Sequence, residues 1–344
     1  MIREAIARLV EGQALGREEA HAAMREIMAG EATPAQIAGY LIALRMRGET
    51  PEVIAGSAAA MREVFTPVPA PPGIVVDTCG TGGDGAHTFN ISTAAALVAA
   101  GAGVTVAKHG NRSVSSRCGS ADVLAALGVK IDCPPEVMAE CLRKIGIAFL
   151  FAPVLHPAMK HAIGPRRELG LRTLFNILGP LSNPAGARHG VLGVYHADLA
   201  PVLARAAASL GAQRLFVVHG LDGLDEITTT ASSVIAEARD GEVRVTELNP
   251  RRLGLPLARA EDLKGGDAEQ NAALLGGVLS GEKGPRRDIV LLNAAAAIVA
   301  GGRAKDLAEG LKAAAQSVDG GAARAKLDAL CELTKTLTVP HQGG

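Results

Sequence analysis

Beyond residue 73, short apolar segments alternate with longer stretches rich in alanine and leucine, and this alternation restricts the fold more than any other feature. Strands buried on both faces read as short continuous apolar runs, and helices between them connect strands that run parallel. Val234–Ala238 and Val243–Glu247 flank a short polar turn and predict a hairpin at the sheet edge. The sequence therefore predicts an α/β domain with a mostly parallel central sheet. Its other predicted strands are Ile74–Val76, Val104–Ala107, Ile147–Phe151, Val191–Tyr195, Leu215–Val218 and Ile289–Leu292.

The first 72 residues carry signals of helices only. Thr33–Gln36 predicts a capping box with proline at the first helical position, and Thr50–Glu52 repeats this start signal. The proline-rich segment 67–73 then interrupts the chain. We therefore expect a small all-helical N-terminal domain at residues 1–72 and a larger α/β domain at residues 73–335.

The charge and the aromatic content argue against two classes of partner. The 344 residues include 35 Lys and Arg and 35 Asp and Glu, so the formal net charge is zero, and only 2% are aromatic. Surfaces that bind nucleic acid are usually basic or offer aromatic rings on which bases stack. The most apolar stretches, Ala94–Ala107 and Ile289–Gly302, are shorter than the ~20 residues of a membrane span. We expect neither a nucleic acid nor a membrane as partner.

The cysteines and the N-terminal segment predict a cytoplasmic protein. Five cysteines are scattered along the chain without a CxxC pair, a pattern typical of reduced thiols. Arg3, Glu4 and Arg8 lie in the N-terminal segment, which therefore predicts a surface helix rather than a secretion signal.

The segment after the first predicted strand is rich in glycine. Gly80, Gly82, Gly83 and Gly85 have no Cβ, so backbone N–H groups there can close around an anion. Asn90–Thr93 then predicts the start of a helix, and helix N-termini attract phosphate. The loop contains GxGxxG but lacks the acidic residue that dinucleotide-binding folds place ~20 positions later, and the chain has no GxxxxGK[ST] motif. We therefore predict a phosphate site of another kind.

Two further loops follow predicted strands. Residues 108–116 offer charged and hydrogen-bonding side chains, and residues 219–226 carry Asp222, Asp225 and Glu226. Ligands of parallel sheets lie beyond the carboxyl ends of the strands, so these loops and the glycine-rich loop should face one cleft. Three acids would repel phosphate unless Mg²⁺ lay between them. Turn chemistry with solvated charges is the alternative explanation for these acids.

At these loops the sequence resembles the anthranilate phosphoribosyltransferases, from the N-terminal helices to about Thr334. The resemblance implies that the chain transfers the 5-phosphoribosyl group from phosphoribosyl pyrophosphate to the amine of anthranilate, in tryptophan biosynthesis. It also implies a homodimer formed through the helical domain, and part of residues 156–182 packed on that domain. The motifs that carry it are GTGGD (Gly80–Asp84), NIST (Asn90–Thr93), KHGNR (Lys108–Arg112), GSAD (Gly119–Asp122), HPAMK (His156–Lys160), the segment Arg166–Pro184 and GLDE (Gly223–Glu226).

The resemblance also implies roles for individual residues. Gly80, Asn111 and Arg166 would contact anthranilate, Arg166 through the carboxylate. Ser92, Asp225 and Glu226 would bind Mg²⁺, with two ions expected. The residues implied in binding phosphoribosyl pyrophosphate are Gly80, Gly82, Gly83, Asp84, Thr88, Asn90, Ile91, Ser92, Thr93, Lys108, Arg112, Ser115, Ser116 and Ser120.

Two departures from the family pattern and two histidines bear on the chemistry. Cys118 stands in the phosphate loop where the family has small or polar residues, and Gly164-Pro165 precedes Arg166 where it often has a longer apolar residue. His109 is the candidate general base, with orienting the aromatic ring or supporting its loop as alternatives. His156 is predicted to be structural or to line the aromatic channel.

Two rival functions fit parts of the same pattern. A pyrimidine nucleoside phosphorylase shares the two-domain plan and the glycine-rich loop, but would bind free phosphate without needing Asp225 and Glu226. A nucleic-acid-binding relative on the same fold would need a basic groove, which the zero net charge argues against.

Overall fold

The computed structural model describes residues 1–113 and 117–337. The predicted start signals of two N-terminal helices are confirmed: the Thr33 and Thr50 hydroxyls each accept a hydrogen bond, from Gln36 N and Val53 N, both at 3.3 Å. These bonds satisfy N–H groups that have no partner inside a helix. The N-terminal helices are α1 (Ile2–Val10), α2 (Arg17–Met28), α3 (Pro34–Arg47) and α4 (Pro51–Arg62).

A seven-stranded sheet with the order β3-β2-β1-β4-β5-β6-β7 forms the centre of the larger part of the chain. The first five strands of that order are parallel, and β6 and β7 form an antiparallel hairpin at one edge. The predicted α/β class, the mostly parallel sheet and the edge hairpin are therefore confirmed. The strands are β1 (Val75–Gly80), β2 (Thr105–Gly110), β3 (Ile147–Phe151), β4 (His189–Gly193), β5 (Arg214–Gly220), β6 (Ser233–Arg239) and β7 (Glu242–Leu248).

Helices cover both faces of this sheet. Neighbouring strand residues alternate between two apolar clusters: Val218 lies with residues of α5 and α13, and Val217 lies with residues of α11 and the N-terminal helices. The helices of the larger part are α5 (Ile91–Gly101), α6 (Ser120–Ala126), α7 (Pro135–Ile145), α8 (Ala152–Leu155), α9 (Lys160–Leu169), α10 (Phe175–Leu178), α11 (Leu199–Ser209), α12 (Ala268–Leu279), α13 (Pro285–Ala300), α14 (Leu307–Asp319) and α15 (Ala322–Thr336).

The strand predicted at Ile289–Leu292 is wrong, because these residues lie inside α13. Every residue of α13 from Ile289 to Ala300 is buried, so its apolar residues follow one another without a helical period. Periodicity cannot distinguish a fully buried helix from a buried strand. Although α13 is largely apolar, no helix within the described residues is long and apolar enough to cross a membrane.

The segment between β3 and β4 packs on the N-terminal helices. Phe175 and Leu178 of α10 lie in the same apolar cluster as the cores of α1–α4. Arg62, the last residue of α4, donates from Nε to the Leu181 carbonyl at 2.8 Å and from Nη1 to the Leu210 carbonyl at 3.3 Å. Arg62 thereby attaches the N-terminal helices to the segment before β4 and to the end of α11.

Candidate active site

The structure brings the glycine-rich loop and the acidic loop together at the carboxyl ends of β1 and β5. Asp225 Oδ2 accepts a hydrogen bond from Gly82 N at 2.9 Å. Glu226 Oε1 accepts one from Ser92 N, in the first turn of α5, at 3.1 Å. The chain reverses its strand order around β1, and ligands of open α/β sheets bind in the crevice at such a point.

Two glycines show why the contact between the glycine-rich loop and the acidic loop needs residues without a side chain. A Cβ on Gly193, at the end of β4, would overlap the backbone carbonyl of Asp225. Gly82 has φ of +66°, a conformation that other residues rarely adopt, and a Cβ there would meet no atom within 4 Å. The space above Gly82 is therefore open.

Burial and like charge act on the acids of this loop. Burial, followed by the nearby Asp84 carboxylate, raises the pKa of Asp225. Burial, followed by Asp225 itself, raises the pKa of Glu226. Carboxylates in such surroundings gain from a cation placed between them.

Asp222, the third acid of the loop, has a different role. It accepts hydrogen bonds from the hydroxyl of Thr228 at 2.6 Å, from the hydroxyl of Thr230, and from Leu224 N at 3.3 Å. For Asp222, the alternative of turn chemistry therefore describes the structure, whereas Asp225 and Glu226 face the glycine-rich loop and α5.

Lys108 lies beneath the acids. Only 4% of its surface is exposed, and its Nζ donates to the Thr78 carbonyl and to Ser92 Oγ, the latter at 3.4 Å. Burial lowers its pKa, against the opposing effect of the Asp77 carboxylate. The ammonium group therefore lies close to Glu226 and to the start of α5.

The sequence did not single out Asp77 and Asn183, yet their side chains join β1, β2 and the segment before β4. Asp77 Oδ1 accepts from His109 N at 3.0 Å, and its Oδ2 accepts from Asn183 Nδ2 at 2.7 Å. Asn183 also donates to the Ala107 carbonyl at 2.9 Å. No local signal could have indicated these bonds, because Asn183 is 106 residues from Asp77 in the chain.

The remaining predicted phosphate residues surround the start of α5. Ile91 and Thr93 are buried, and the Thr93 hydroxyl has no hydrogen-bond partner among the described residues. Thr88 forms an isolated antiparallel bridge with Lys264. The Asn90 side chain does not cap α5, although Asn90 occupies the N-cap position.

The loop after β2 is partly organised by an ion pair. Arg112 Nη1 donates to Asp122 Oδ1 at 2.8 Å, while Asp122 Oδ2 accepts from Ser113 N and Gly119 N at 3.1 and 2.9 Å. Ser120 Oγ donates to the Asn111 carbonyl at 3.3 Å. The predicted binding residues Ser115 and Ser116 lie outside the described residues.

His109 and His156 form a buried pair. Their Nε2 atoms are 3.1 Å apart, and His109 Nδ1 lies 3.2 Å from the Gly179 carbonyl. Burial lowers the pKa of His109 to about 3 and that of His156 to about 4, so both rings are neutral near pH 7. Since a carbonyl only accepts, His109 Nδ1 carries the proton and Nε2 accepts from His156. Both nitrogens of the candidate base are thus engaged within the protein.

Arg166 lies on α9 and has no acidic partner among the described residues. Its guanidinium lies over the Phe175 ring at 5.1 Å, and burial lowers its pKa. Arg172 is the arginine that contacts the glycine-rich loop: it stacks on Tyr195 at 4.3 Å, and a Cβ on Gly83 would lie 2.7 Å from its Nη2. A half-buried, unpaired guanidinium such as Arg166 is suited to bind a carboxylate.

Comparisons with known proteins agree with this geometry. Residues 72–324 match the model of the glycosyl transferase family a/b domain, and residues 3–64 match that of the family's helical bundle domain. The anthranilate phosphoribosyltransferases of Pelotomaculum thermopropionicum and Moorella thermoacetica are 57% and 56% identical to this chain. Those alignments cover 98% and 96% of this chain and 98% and 97% of the relatives.

Solved structures give the same result. The crystal structure of the Thermus thermophilus anthranilate phosphoribosyltransferase superposes with a TM-score of 0.91 at 46% identity, covering 96% of this chain and 99% of that one. The Saccharomyces cerevisiae enzyme, solved in complex with phosphoribosyl pyrophosphate and Mg, superposes with a TM-score of 0.89 at 28% identity, covering 97% and 98%. With nearly full-length identity well above 30%, the chain belongs to the anthranilate phosphoribosyltransferase family of glycosyltransferases.

Proposed function

We propose that this chain transfers the 5-phosphoribosyl group of phosphoribosyl pyrophosphate to the amine of anthranilate and releases pyrophosphate, as a step of tryptophan biosynthesis. The observation that carries the proposal is the pair of bonds from Gly82 N to Asp225 and from Ser92 N to Glu226. These bonds place backbone donors, a helix N-terminus and two carboxylates around one cleft, as binding of a phosphorylated substrate together with a cation requires.

The phosphate end of the substrate is assigned to the loops at the ends of β1 and β2. Open space above Gly82 and the hydroxyl of Thr93, which has no partner among residues 1–113 and 117–337, support this assignment. The full set proposed to bind phosphoribosyl pyrophosphate is Gly80, Gly82, Gly83, Asp84, Thr88, Asn90, Ile91, Ser92, Thr93, Lys108, Arg112, Ser115, Ser116 and Ser120.

The aromatic substrate is assigned to Gly80, Asn111 and Arg166. Arg166 would bind the carboxylate of anthranilate, and the absence of an acidic partner among the described residues supports this role. Asn111 lies at the start of the loop that follows β2, and Gly80 ends β1. With its carboxylate on Arg166, anthranilate would hold its amine near the ribosyl carbon of phosphoribosyl pyrophosphate.

Mg²⁺ fits the donor set of the acidic loop, and we assign two ions to Ser92, Asp225 and Glu226. Burial, followed by neighbouring carboxylates, raises the pKa of both acids, and a cation would stabilise their ionised forms. Within the described residues no group of three His, Cys, Asp or Glu side chains can hold a metal alone, and Mg²⁺ commonly shares its ligands with substrate phosphates. When bound, the ion supplies positive charge to the pyrophosphate oxygens.

The protein's own residues contribute charge and position rather than proton transfer. Lys108 and the N–H groups of the glycine-rich loop stabilise the negative charge that develops on the leaving group. The amine of anthranilate is already a nucleophile, so holding it in line with the ribosyl carbon is the main task. His109, with a pKa of about 3 and both nitrogens engaged, supports its loop in this scheme.

We extend the proposal to the organisation of the protein. The chain divides into a helical domain at residues 1–72, on which part of 156–182 packs, and a phosphoribosyl-binding domain at residues 73–335. The proposed homodimer forms through the helical domain, where the apolar side chains of Val10 and Met46 are 75% and 82% exposed. A cytoplasmic location is supported by five free cysteines.

The decisive experiment follows the fluorescence of anthranilate. Purified protein should consume it when phosphoribosyl pyrophosphate and Mg²⁺ are added, and should not do so when either is omitted. A parallel reaction with phosphate and thymidine in the absence of Mg²⁺ tests the nucleoside phosphorylase alternative. Constant fluorescence together with cleavage of thymidine would contradict the proposal.

Arg166→Ala should weaken the use of anthranilate and spare phosphoribosyl pyrophosphate. Losing a charge-assisted hydrogen-bonded pair costs ~1.5–3 kcal/mol, so the KM for anthranilate should rise about ten- to a hundredfold. Arg167→Ala, which removes the exposed neighbour on the same helix, is the control. An unchanged KM for anthranilate in Arg166→Ala would refute the assignment of this residue.

Gly82→Val should abolish binding of phosphoribosyl pyrophosphate while the protein still folds. The new side chain projects into open space, so it blocks the cleft and strains only the local backbone, by ~1–3 kcal/mol. Gly211→Val is the matched control, because Gly211 also has positive φ and open space but lies at the end of α11. Calorimetry should detect binding to the control and none to Gly82→Val; normal binding to both would exclude the glycine-rich loop as the phosphate site.

Replacing Asp225 by Asn and Glu226 by Gln together should remove the Mg²⁺ dependence along with most activity. The shapes are nearly kept, so the loss comes from charge, and a missing metal contribution raises a barrier by several kcal/mol (~3–5). Folding should survive, and thermal unfolding without Mg²⁺ should be unchanged or shifted upward, because mutual repulsion disappears. Glu242→Gln with Glu247→Gln, on the exposed edge strand, is the control pair. Wild-type turnover with the wild-type Mg²⁺ midpoint would place the metal elsewhere.

A further inference from the structure

Three side chains join the start of α5 to two segments that are distant in sequence. Asn271 of α12, only 1% exposed, donates from Nδ2 to Asn90 Oδ1 at 3.0 Å, and its own Oδ1 accepts from Gly266 N at 2.8 Å. Asn90 Nδ2 donates to the Cys118 carbonyl at 3.2 Å, and Cys118 Sγ lies 3.4 Å from Asn90 Oδ1. We call Asn271, Asn90 and Cys118 the amide bridge.

Backbone contacts extend the amide bridge along the segment before α5. Gly265 N donates to the His87 carbonyl at 2.9 Å, and Phe89 N donates to the Leu263 carbonyl at 3.2 Å. A Cβ on Gly265 would lie 2.7 Å from Phe89 N, so glycine permits the two backbones to approach this closely. Residues 263–271 therefore act as one support for residues 87–90, although 181 residues separate Asn271 from Asn90.

The amide bridge has a consequence for the helix N-terminus. Asparagine at an N-cap normally bonds the N–H of the second or third helical residue. Here both ends of the Asn90 amide are engaged elsewhere, so the N-cap residue itself bonds no N–H of α5. Among the described residues, the N–H of Thr93, the third helical residue, has no partner. The Thr93 N–H, which a capping asparagine would bond, is thus left available to an anion.

We infer that Asn271 is a positioning residue for the phosphate site: it holds the Asn90 amide away from the end of α5, which keeps the Thr93 N–H free for a phosphate oxygen. This inference rests on the proposed function, in which phosphoribosyl pyrophosphate binds at α5. A side chain that capped the helix would compete with the substrate for the same donor.

Asn271→Leu tests the inference, because leucine has a similar size and makes neither hydrogen bond. The KM for phosphoribosyl pyrophosphate should rise about five- to tenfold, as expected for one neutral hydrogen bond. At saturating phosphoribosyl pyrophosphate, kcat and the KM for anthranilate should stay within about twofold of wild type. A role in stability alone would lower the melting temperature without this split.

The control variant is Ser317→Ala. Ser317 is also buried, and its hydroxyl donates to the Val98 carbonyl of the same helix α5 at 2.8 Å, but near the opposite end. It should lower stability and leave both KM values unchanged. If Asn271→Leu fails to fold, Asn271→Ser replaces it, since the shorter side chain cannot reach Asn90.

A double-mutant cycle adds a result that is expected only if the Asn90 side chain competes with the substrate for the end of α5. Once Asn90 is replaced by Ala, no side chain at position 90 can cap α5, so adding Asn271→Leu should change the KM for phosphoribosyl pyrophosphate by no more than about twofold. Fully additive effects, or an unchanged KM in the single variant, would overturn the inference. The proposed function fails separately, if the wild-type protein does not consume anthranilate.

Discussion

The close packing of Asp225 against the ends of β1 and β4 determines how the rest of the site is arranged. Gly80 and Gly193 are paired across these adjacent parallel strands, and the Asp225 backbone lies directly on Gly193. The Asp225 carboxylate then bonds Gly82 N, and the next residue, Glu226, bonds Ser92 N. One loop from β5 therefore fixes the position of both the glycine-rich loop and the start of α5, and any side chain at Gly193 would separate them.

The charges held by this packing are complementary to a phosphate that carries a cation. Burial lowers the pKa of Lys108 and raises those of Asp225 and Glu226, so the charged form of each group lies where water solvates it poorly. In the proposed function, pyrophosphate oxygens would bind the ammonium and the Thr93 N–H, which has no partner among the described residues, while the cation would be attracted to the carboxylates. Such preorganised charges act on the reacting groups without needing to reorient during the reaction.

The parts of the molecule that depend on local sequence were predictable, and those that depend on distant partners were not. The strands, the edge hairpin and the start of α3 follow from patterns within a few residues, and the structure confirms them. The pattern failed at Ile289–Leu292 because complete burial removes the helical period. Within the site, it could not indicate that Arg112 pairs with Asp122, or that Asn271 reaches Asn90 across 181 residues.

The two buried histidines show what kind of chemistry this site is built for. The Gly179 carbonyl fixes the proton of His109 on Nδ1, and His156 occupies its other nitrogen, so His109 has no nitrogen left to exchange a proton with a substrate. Burial makes a positive charge on either ring costly and so lowers both pKa values, which leaves both histidines neutral near Lys108. An amine that attacks a ribosyl carbon as pyrophosphate leaves needs position and charge more than it needs a base. In the proposed function, the buried lysine and the two acids would supply the charge, and the neutral histidine pair would support the loop after β2.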